Sequence, residues 1–139
     1  MTAKEYLSQY RDCVEDIKAK RFEIQRLLEE ATIITPTSEE GGHAPGNISD
    51  KVGKKAALIA DLEAEIDEEC AAARELRRDI RQSIAALHEG TLRRLLTYRY
   101  ICGCTWERIA VKMNYSYKHV VHVLHPRALS KIGDRFVNM

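Results

Sequence analysis

Five side chains suited to reading the edges of DNA bases lie within seven residues near the C-terminus. They are Ser116, Tyr117, Lys118, Val121 and His122. The Lys118 amine can donate to guanine acceptors or to a phosphate, Val121 can touch a thymine methyl, and His122 can donate to a base edge. Tyr117 also suits the DNA backbone. The simpler alternative for Tyr117 and Val121 is an exposed apolar position without any ligand.

Three further polar residues precede this group and suit phosphates better than bases. They are Thr105, Arg108 and Lys112. Contacts of this kind fix the position of a protein on the duplex but do not read its sequence. Trp106 lies among them and has two interpretations, because its ring can cover the core between helices or its N–H can point to the DNA backbone.

The residues between these polar groups have the spacing of two short helices joined by a tight turn. The apolar positions expected to face inward are Ile109, Ala110, Met113, Tyr115, Val120 and Val123. Asn114 stands where the chain must turn, and a left-handed conformation costs least for Gly or Asn. Ser116 is a good N-cap for the second helix. The pattern predicts a helix-turn-helix whose second helix enters the major groove; an ordinary helix pair without DNA is the alternative.

Charge favours the DNA interpretation. Residues 91–139 contain nine Lys and Arg residues against two acidic ones, a net charge of +7, whereas residues 1–90 contain thirteen against nineteen, a net charge of −6. The overall net charge of +1 therefore hides two regions of opposite sign. A small basic region of this kind is typical of proteins that neutralise phosphates.

Residues 95–132 resemble region 4 of sigma factors, and more closely the sigma-like C-terminal domains of phage and prophage transcriptional regulators of the RinA/ArpU type. The matching pieces are the helix ending at Ile101, the Gly103-Cys104-Thr105-Trp106 turn with Glu107 and Ile109-Ala110, the Tyr115-Ser116 cap and Arg127-Ala128-Leu129. The resemblance implies promoter binding and control of transcription. Pro126 departs from it and predicts that the second helix ends or kinks near His125.

The first 90 residues show two long amphipathic helices. The first apolar stripe consists of Tyr6, Tyr10, Cys13, Ile17, Ile24, Leu27 and Ala31, with a gap at Lys20. The second consists of Val52, Ile59, Leu62, Ile66, Ala73, Leu76, Ile80 and Leu87. Steps of three and four predict a coiled-coil seam, and the Pro and Gly residues between the stripes predict a flexible loop over 35–48. We expect an all-α fold, with an antiparallel coiled-coil helical hairpin (1–90) followed by a helix-turn-helix domain (91–139).

Two features of this hairpin concern partners. Leu28 and Ile84 lie beside the seams and would stay exposed in a lone hairpin, so a homodimer through the N-terminal helices is expected, with RNA polymerase as another candidate partner. Arg74, Arg77, Arg78 and Arg81 form a basic cluster. A solvated face explains the cluster better than a phosphate-binding ridge does.

The sequence offers little for a metal, a cofactor or catalysis. Cys102 and Cys104 are separated by one residue, whereas structural zinc sites usually have two to four. His119, His122 and His125 recur every third residue, but His122 should face outward. We expect no metal, no cofactor and no enzymatic activity, and cysteines that are small buried residues in a reduced cytoplasm. No apolar run suits a membrane span, and no secretion signal is recognised, so a cytoplasmic protein without a membrane partner is expected.

Double-stranded DNA is therefore the expected partner, and a sequence-specific transcriptional regulator is the favoured function. A phage DNA-packaging module of the small terminase type is the alternative, since it also joins a helix-turn-helix to an oligomerising coiled coil. Its DNA module usually comes first, whereas here it comes last. A coiled-coil scaffold with a basic tail is the third possibility, and it predicts binding without sequence preference.

Overall fold

The computed structural model describes residues 1–34 and 45–137, and within these ranges every element is helical and no strand occurs. The fold is all-α, as predicted. α1 spans Ala3–Ile34 and α2 spans Pro45–Ala85. Shorter helices follow: α3 (Gly90–Leu96) with a π-helical turn (Thr97–Ile101), α4 (Trp106–Met113), α5 (Tyr117–His119) with a second π-helical turn (Val120–Leu124), and α6 (His125–Val137).

The predicted loop over 35–48 is shorter at its C-terminal end than expected. α2 begins at Pro45, so residues 45–48 belong to the helix. Proline suits the first turn of a helix, because its fixed φ is helical and its missing N–H would have no intrahelical partner there. The rest of the predicted loop lies outside the described residues.

The chain forms two compact units, and each long helix contributes to both. The first unit contains residues 1–13 and 72–139, and the second contains residues 14–71. The domain boundary predicted at residue 90 lies inside the first unit.

Both long helices supply buried residues to the core of the first unit. Leu7 of α1, Ile80 and Ile84 of α2, and Leu87 just after α2 join this cluster. The members from the later helices are Leu92, Leu95, Leu96, Tyr100, Ile109, Ala110, Val120, Leu124, Ala128 and Ile132. The expectation that Ile84 lies on an exposed flank is wrong, because this core covers it.

The second unit has few buried apolar residues. Among its described residues, the buried hydrophobic side chains are Ile17, Leu62 and Ile66. Lys20 forms ion pairs with Glu69 and with Glu65, the latter at 3.4 Å. The pKa of Lys20 is raised, first because its amine donates to Glu69.

Further along α1, Glu30 pairs with Lys55 at 3.6 Å. Partners of later α1 residues therefore lie earlier in α2. Large apolar side chains are also exposed here: Phe22 is 64% exposed and Leu28 is 53% exposed. Among the described residues of the chain, no helix has the length and apolar character that a membrane span requires.

The helical backbone runs without a break from Tyr117 to Val137, so of the two predicted effects of Pro126 the end of the helix near His125 is wrong. The backbone does depart from α-helical geometry just before His125, in the π-helical turn that ends at Leu124, where the His125 N–H donates to the Val120 carbonyl. A π turn is closed by i→i+5 bonds and takes more residues than an α turn. This widening also explains why Val123 is 48% exposed, contrary to prediction, while Leu124 is buried beside Val120.

Candidate nucleic-acid interface

α4 and the turn after it have the predicted local geometry. The Thr105 side chain caps α4 by accepting from the Arg108 N–H at 3.3 Å. Asn114 adopts the left-handed conformation, with φ 60° and ψ 44°, which confirms the prediction for this position. The chain then turns sharply, and the Tyr115 N–H still donates to the Ala110 carbonyl at 3.1 Å.

Ser116 caps the second helix of the helix-turn-helix, as predicted; this helix consists of α5 and the π turn after it. The Ser116 hydroxyl accepts a hydrogen bond from the His119 N–H at 3.1 Å, an N-cap contact that satisfies a donor without an intrahelical partner. The side chains of Tyr117, Lys118 and His122 follow on exposed positions. They are therefore available to a ligand that approaches the start of this helix.

The inward-facing residues hold the two helices together. Ile109, Ala110 and Val120 are buried, which confirms their predicted orientation, and Met113 packs against the core from a partly buried position. The inward prediction for Tyr115 is wrong, because its side chain is 42% exposed and packs beside the turn, with its ring 5.1 Å from that of His119.

The residues predicted to contact phosphates lie on the surface. Thr105, Arg108 and Lys112 are all exposed. The Lys112 amine lies 5.7 Å from the centre of the Tyr98 ring, a cation–π distance that still leaves the amine in solvent. Val121 differs from its predicted neighbours, because it is half-buried and lines a cavity.

A buried aromatic cluster supports the second helix, and the sequence did not indicate it. The Tyr100 hydroxyl lies 2.6 Å from Nε2 of His125, and the Trp106 and His125 ring centres are 4.4 Å apart. The Arg99 guanidinium lies 4.4 Å from the centre of the Trp106 ring. These contacts favour Trp106 as a cover of the core.

Burial sets the protonation of this cluster. It raises the pKa of Tyr100 to about 12. Burial is also the largest cause of the lowered pKa of His125, which is about 4, and the charges of Lys4 and Arg99 lower it further. At neutral pH His125 is therefore uncharged, and the Tyr100 hydroxyl can donate to its Nε2. The sequence indicated only Trp106 as a possible cover of the core and contained no sign of the roles of Tyr100 and His125.

Some of the basic residues behind the +7 charge are bound within the protein. Arg93 donates to the Leu87 carbonyl at 2.6 Å, Arg99 donates to the Cys104 carbonyl at 3.1 Å, and Arg127 pairs with Glu89 at 2.8 Å. Other basic side chains are exposed in the described part of this region: Arg94, Arg108, Lys112, Lys118 and Lys131. The cations available to phosphates are therefore fewer than the net charge indicates.

The histidines and cysteines do not converge on a metal. Across residues 1–34 and 45–137, no group of three His, Cys, Asp or Glu side chains could hold a metal ion. The expectation that the cysteines are buried is wrong for Cys102, which is exposed at the end of the first π turn; Cys13, Cys70 and Cys104 are half-buried.

No protein-family model matches this chain, and neither a curated protein nor a solved structure matches it. Its function has to be inferred from its own residues. The side chains best placed for a ligand are the exposed ones at the start of the second helix, together with the cations of α4.

Proposed function

We propose that this chain is a sequence-specific DNA-binding transcriptional regulator of the sigma-like type found in phages and prophages. One observation carries the proposal: Tyr117, Lys118 and His122 are exposed on a helix that Ser116 caps and that buried Val120 holds in the core. Exposed polar side chains on a firmly supported helix are what reading of the major groove requires. The sequence resemblance to sigma region 4 supports the same class.

In this proposal Thr105–His122 acts as a helix-turn-helix. The first turn of the second helix enters the major groove, where Lys118 donates to guanine or to a phosphate and His122 donates to a base edge. Arg108 and Lys112 of α4 contact phosphates on the flanking backbone and set the orientation of the protein. Base reading and phosphate binding are thus divided between the two helices.

The N-terminal helices act as a coiled-coil hairpin that forms a homodimer. The opposite order of partners along α1 and α2 supports the hairpin, because Lys20 pairs with Glu65 whereas Glu30 pairs with Lys55. A symmetric dimer carries two recognition helices and therefore favours a repeated or inverted site. RNA polymerase remains the second proposed partner of these helices.

Selection of bound sequences from a pool of random duplexes tests the proposal with the full-length protein. A regulator enriches a defined motif, and competition with unrelated duplexes then measures the specificity ratio. Binding without enrichment would favour a scaffold with a basic surface. A large ring-shaped oligomer in light scattering, without a preferred site, would favour the DNA-packaging alternative.

A further inference from the structure

A cavity of about 410 Å³ in the first unit is lined by residues of α1 and of the helix that Ser116 caps. Several of the lining residues are cations. Lys4 and Arg11 of α1, Arg99 of the first π turn, Trp106 and Val121 contribute to its walls. None of the α1 residues was indicated as a functional residue by the sequence. The cavity is within the size range of sites that hold small ligands or parts of larger ones.

The electrostatics of this cavity favour an anion. Lys4, Arg11 and Arg99 face a single carboxylate in its lining, that of Asp12. The charged residues in the lining therefore have a net positive charge, which attracts an anion. The same charges of Lys4 and Arg99 add to burial in lowering the pKa of the neighbouring His125.

Two of these cations lie against the loop between Ile101 and Trp106. The Arg11 guanidinium packs so close to Gly103 that a Cβ atom there would lie 2.5 Å from Cζ and the arginine would have to shift, while the positive φ of 74° is what favours glycine. Arg99 lies against the Trp106 ring and donates to the Cys104 carbonyl. The Arg99 guanidinium, which is restrained by these two contacts, loses less freedom when it binds a ligand.

We propose that this cavity binds a phosphate group between Lys4, Arg11 and Arg99. Guanidinium groups match the geometry of phosphate oxygens, and the Lys4 amine adds a point charge. The source of the phosphate rests on the proposed function: Val121 belongs to the helix assigned to the major groove, so a backbone phosphate beside that groove is the expected occupant. A free phosphorylated molecule is the other source of the same chemistry.

Trp106 allows a direct test, because it is the only tryptophan in the chain and lines the cavity. Its fluorescence is followed while the full-length protein is titrated with inorganic phosphate. A separate titration uses the selected duplex, or a random duplex if selection enriches no motif. Arg11→Gln and Lys4→Gln are compared with Arg26→Gln and Lys54→Gln, which remove the same charge from exposed positions in the second unit. Circular dichroism checks that each variant is folded, and Lys4→Gln carries the test if Arg11→Gln is not.

We expect each cavity variant to weaken duplex binding roughly tenfold and to reduce the slope of log K against log salt by ~1, uniformly across sequences. The two control variants should change affinity much less. This pattern assigns the occupant to the DNA backbone.

The remaining outcomes separate the two proposals. If Trp106 fluorescence responds to inorganic phosphate and Arg11→Gln abolishes the response, while duplex affinity is unchanged, the cavity binds a free phosphorylated molecule. If the same response occurs but no duplex binds at all, the phosphate site stands and the proposed function alone fails. Duplex binding that all four variants weaken equally, with no Trp106 response to phosphate, would overturn the phosphate site and leave the proposed function standing.

Discussion

The two units of this chain differ most in how completely they cover their apolar residues. In the first unit, Leu7, Ile80 and Ile109 are fully buried in one cluster shared by early and late helices. In the second unit, only Ile17, Leu62 and Ile66 are buried among the described hydrophobic residues, while Phe22 and Leu28 are largely exposed. Exposed apolar side chains also occur in the first unit, where Val111 is 82% exposed, so the units differ in the size of their buried core and not in exposure alone.

This difference divides the proposed roles. Reading DNA requires side chains held in a fixed geometry, and the exposed residues after Ser116 stand on the well-packed unit. The second unit buries few of its apolar side chains within itself, and a partner that packs against Phe22 and Leu28 would cover more of them. We therefore propose that the first unit binds DNA and that the second associates with a partner.

The largest expected effect is on the core of the first unit. Leu7→Ala removes a side chain with 0% exposure and should lower the free energy of unfolding by about 2–5 kcal/mol, because a cavity remains in the cluster. Leu28→Ala, at 53% exposure, should change it by less than ~0.5 kcal/mol. Urea denaturation followed by Trp106 fluorescence reports the first unit. Equal effects of the two changes would mean that α1 does not belong to this core.

The second effect is a loss of stability at acidic pH that arises from His125. Its pKa is about 4 in the folded protein against 6.5 for the ordinary group. The unfolded chain therefore binds the proton first, so stability decreases as pH falls below about 6.5 and the loss is complete below about 4; its full size is about 3 kcal/mol.

His125→Gln should remove most of this dependence, since an amide can still accept from Tyr100 and does not titrate. Urea midpoints of the wild type and the variant between about pH 7 and pH 4 measure it. His88→Gln, at an exposed position in the same unit, is the matched control. Identical pH profiles of the wild type and His125→Gln would contradict the buried neutral imidazole.

Local chemistry determines some positions of this chain, whereas others depend on packing between distant residues. Asn114 and Ser116 were predicted correctly because a left-handed turn and an N-cap are chosen by the chemistry of the residue itself. Val123 was assigned inward because an α-helical turn was assumed, and the π turn moves Leu124 to that position. No local pattern distinguishes the two kinds of turn.

Distant packing explains the other differences. The stripe on α1 was drawn through Tyr6 and Tyr10, but the fully buried residue is Leu7, which depends on a core made by helices far along the chain. The gap at Lys20 had no explanation in the sequence. In the structure the Lys20 amine pairs with Glu69 of α2. The polar residue in the apolar stripe of α1 therefore has an acidic partner on the other helix.

The third prediction concerns the preference for a DNA sequence. Lys118→Ala should alter the preferred site by ~1–3 kcal/mol at one base pair, because Lys118 is assigned to a base edge. Lys112→Ala should weaken all duplexes about equally, and Lys54→Ala in the second unit should have little effect on any. Binding of the selected motif and its single-base variants measures all three. If Lys112 sets the preference, the assignment of the reading helix is wrong.

The fourth prediction concerns association through the second unit. Phe22→Ser and Leu58→Ser should each raise the dissociation constant of the dimer roughly tenfold, since both remove exposed apolar surface. Val111→Ser is the control, because Val111 is 82% exposed but belongs to the first unit. Analytical ultracentrifugation of the full chain gives the constants. A monomeric wild type at micromolar concentration would rule out the dimer and make RNA polymerase the next partner to test.

The smallest expected effects come from exposed ion pairs, and they decide whether charge or apolar burial distinguishes the units. Glu89→Gln breaks the 2.8 Å pair with Arg127 in the first unit, and Glu30→Gln breaks the 3.6 Å pair with Lys55 in the second. Each change should cost less than ~1 kcal/mol, and less at high salt, because solvent screens both pairs. Chemical denaturation at low and high salt, followed by circular dichroism and by Trp106 fluorescence, compares the units. A cost for Glu89→Gln that approaches that of Leu7→Ala would mean that the first unit depends on charge pairing as much as on its core.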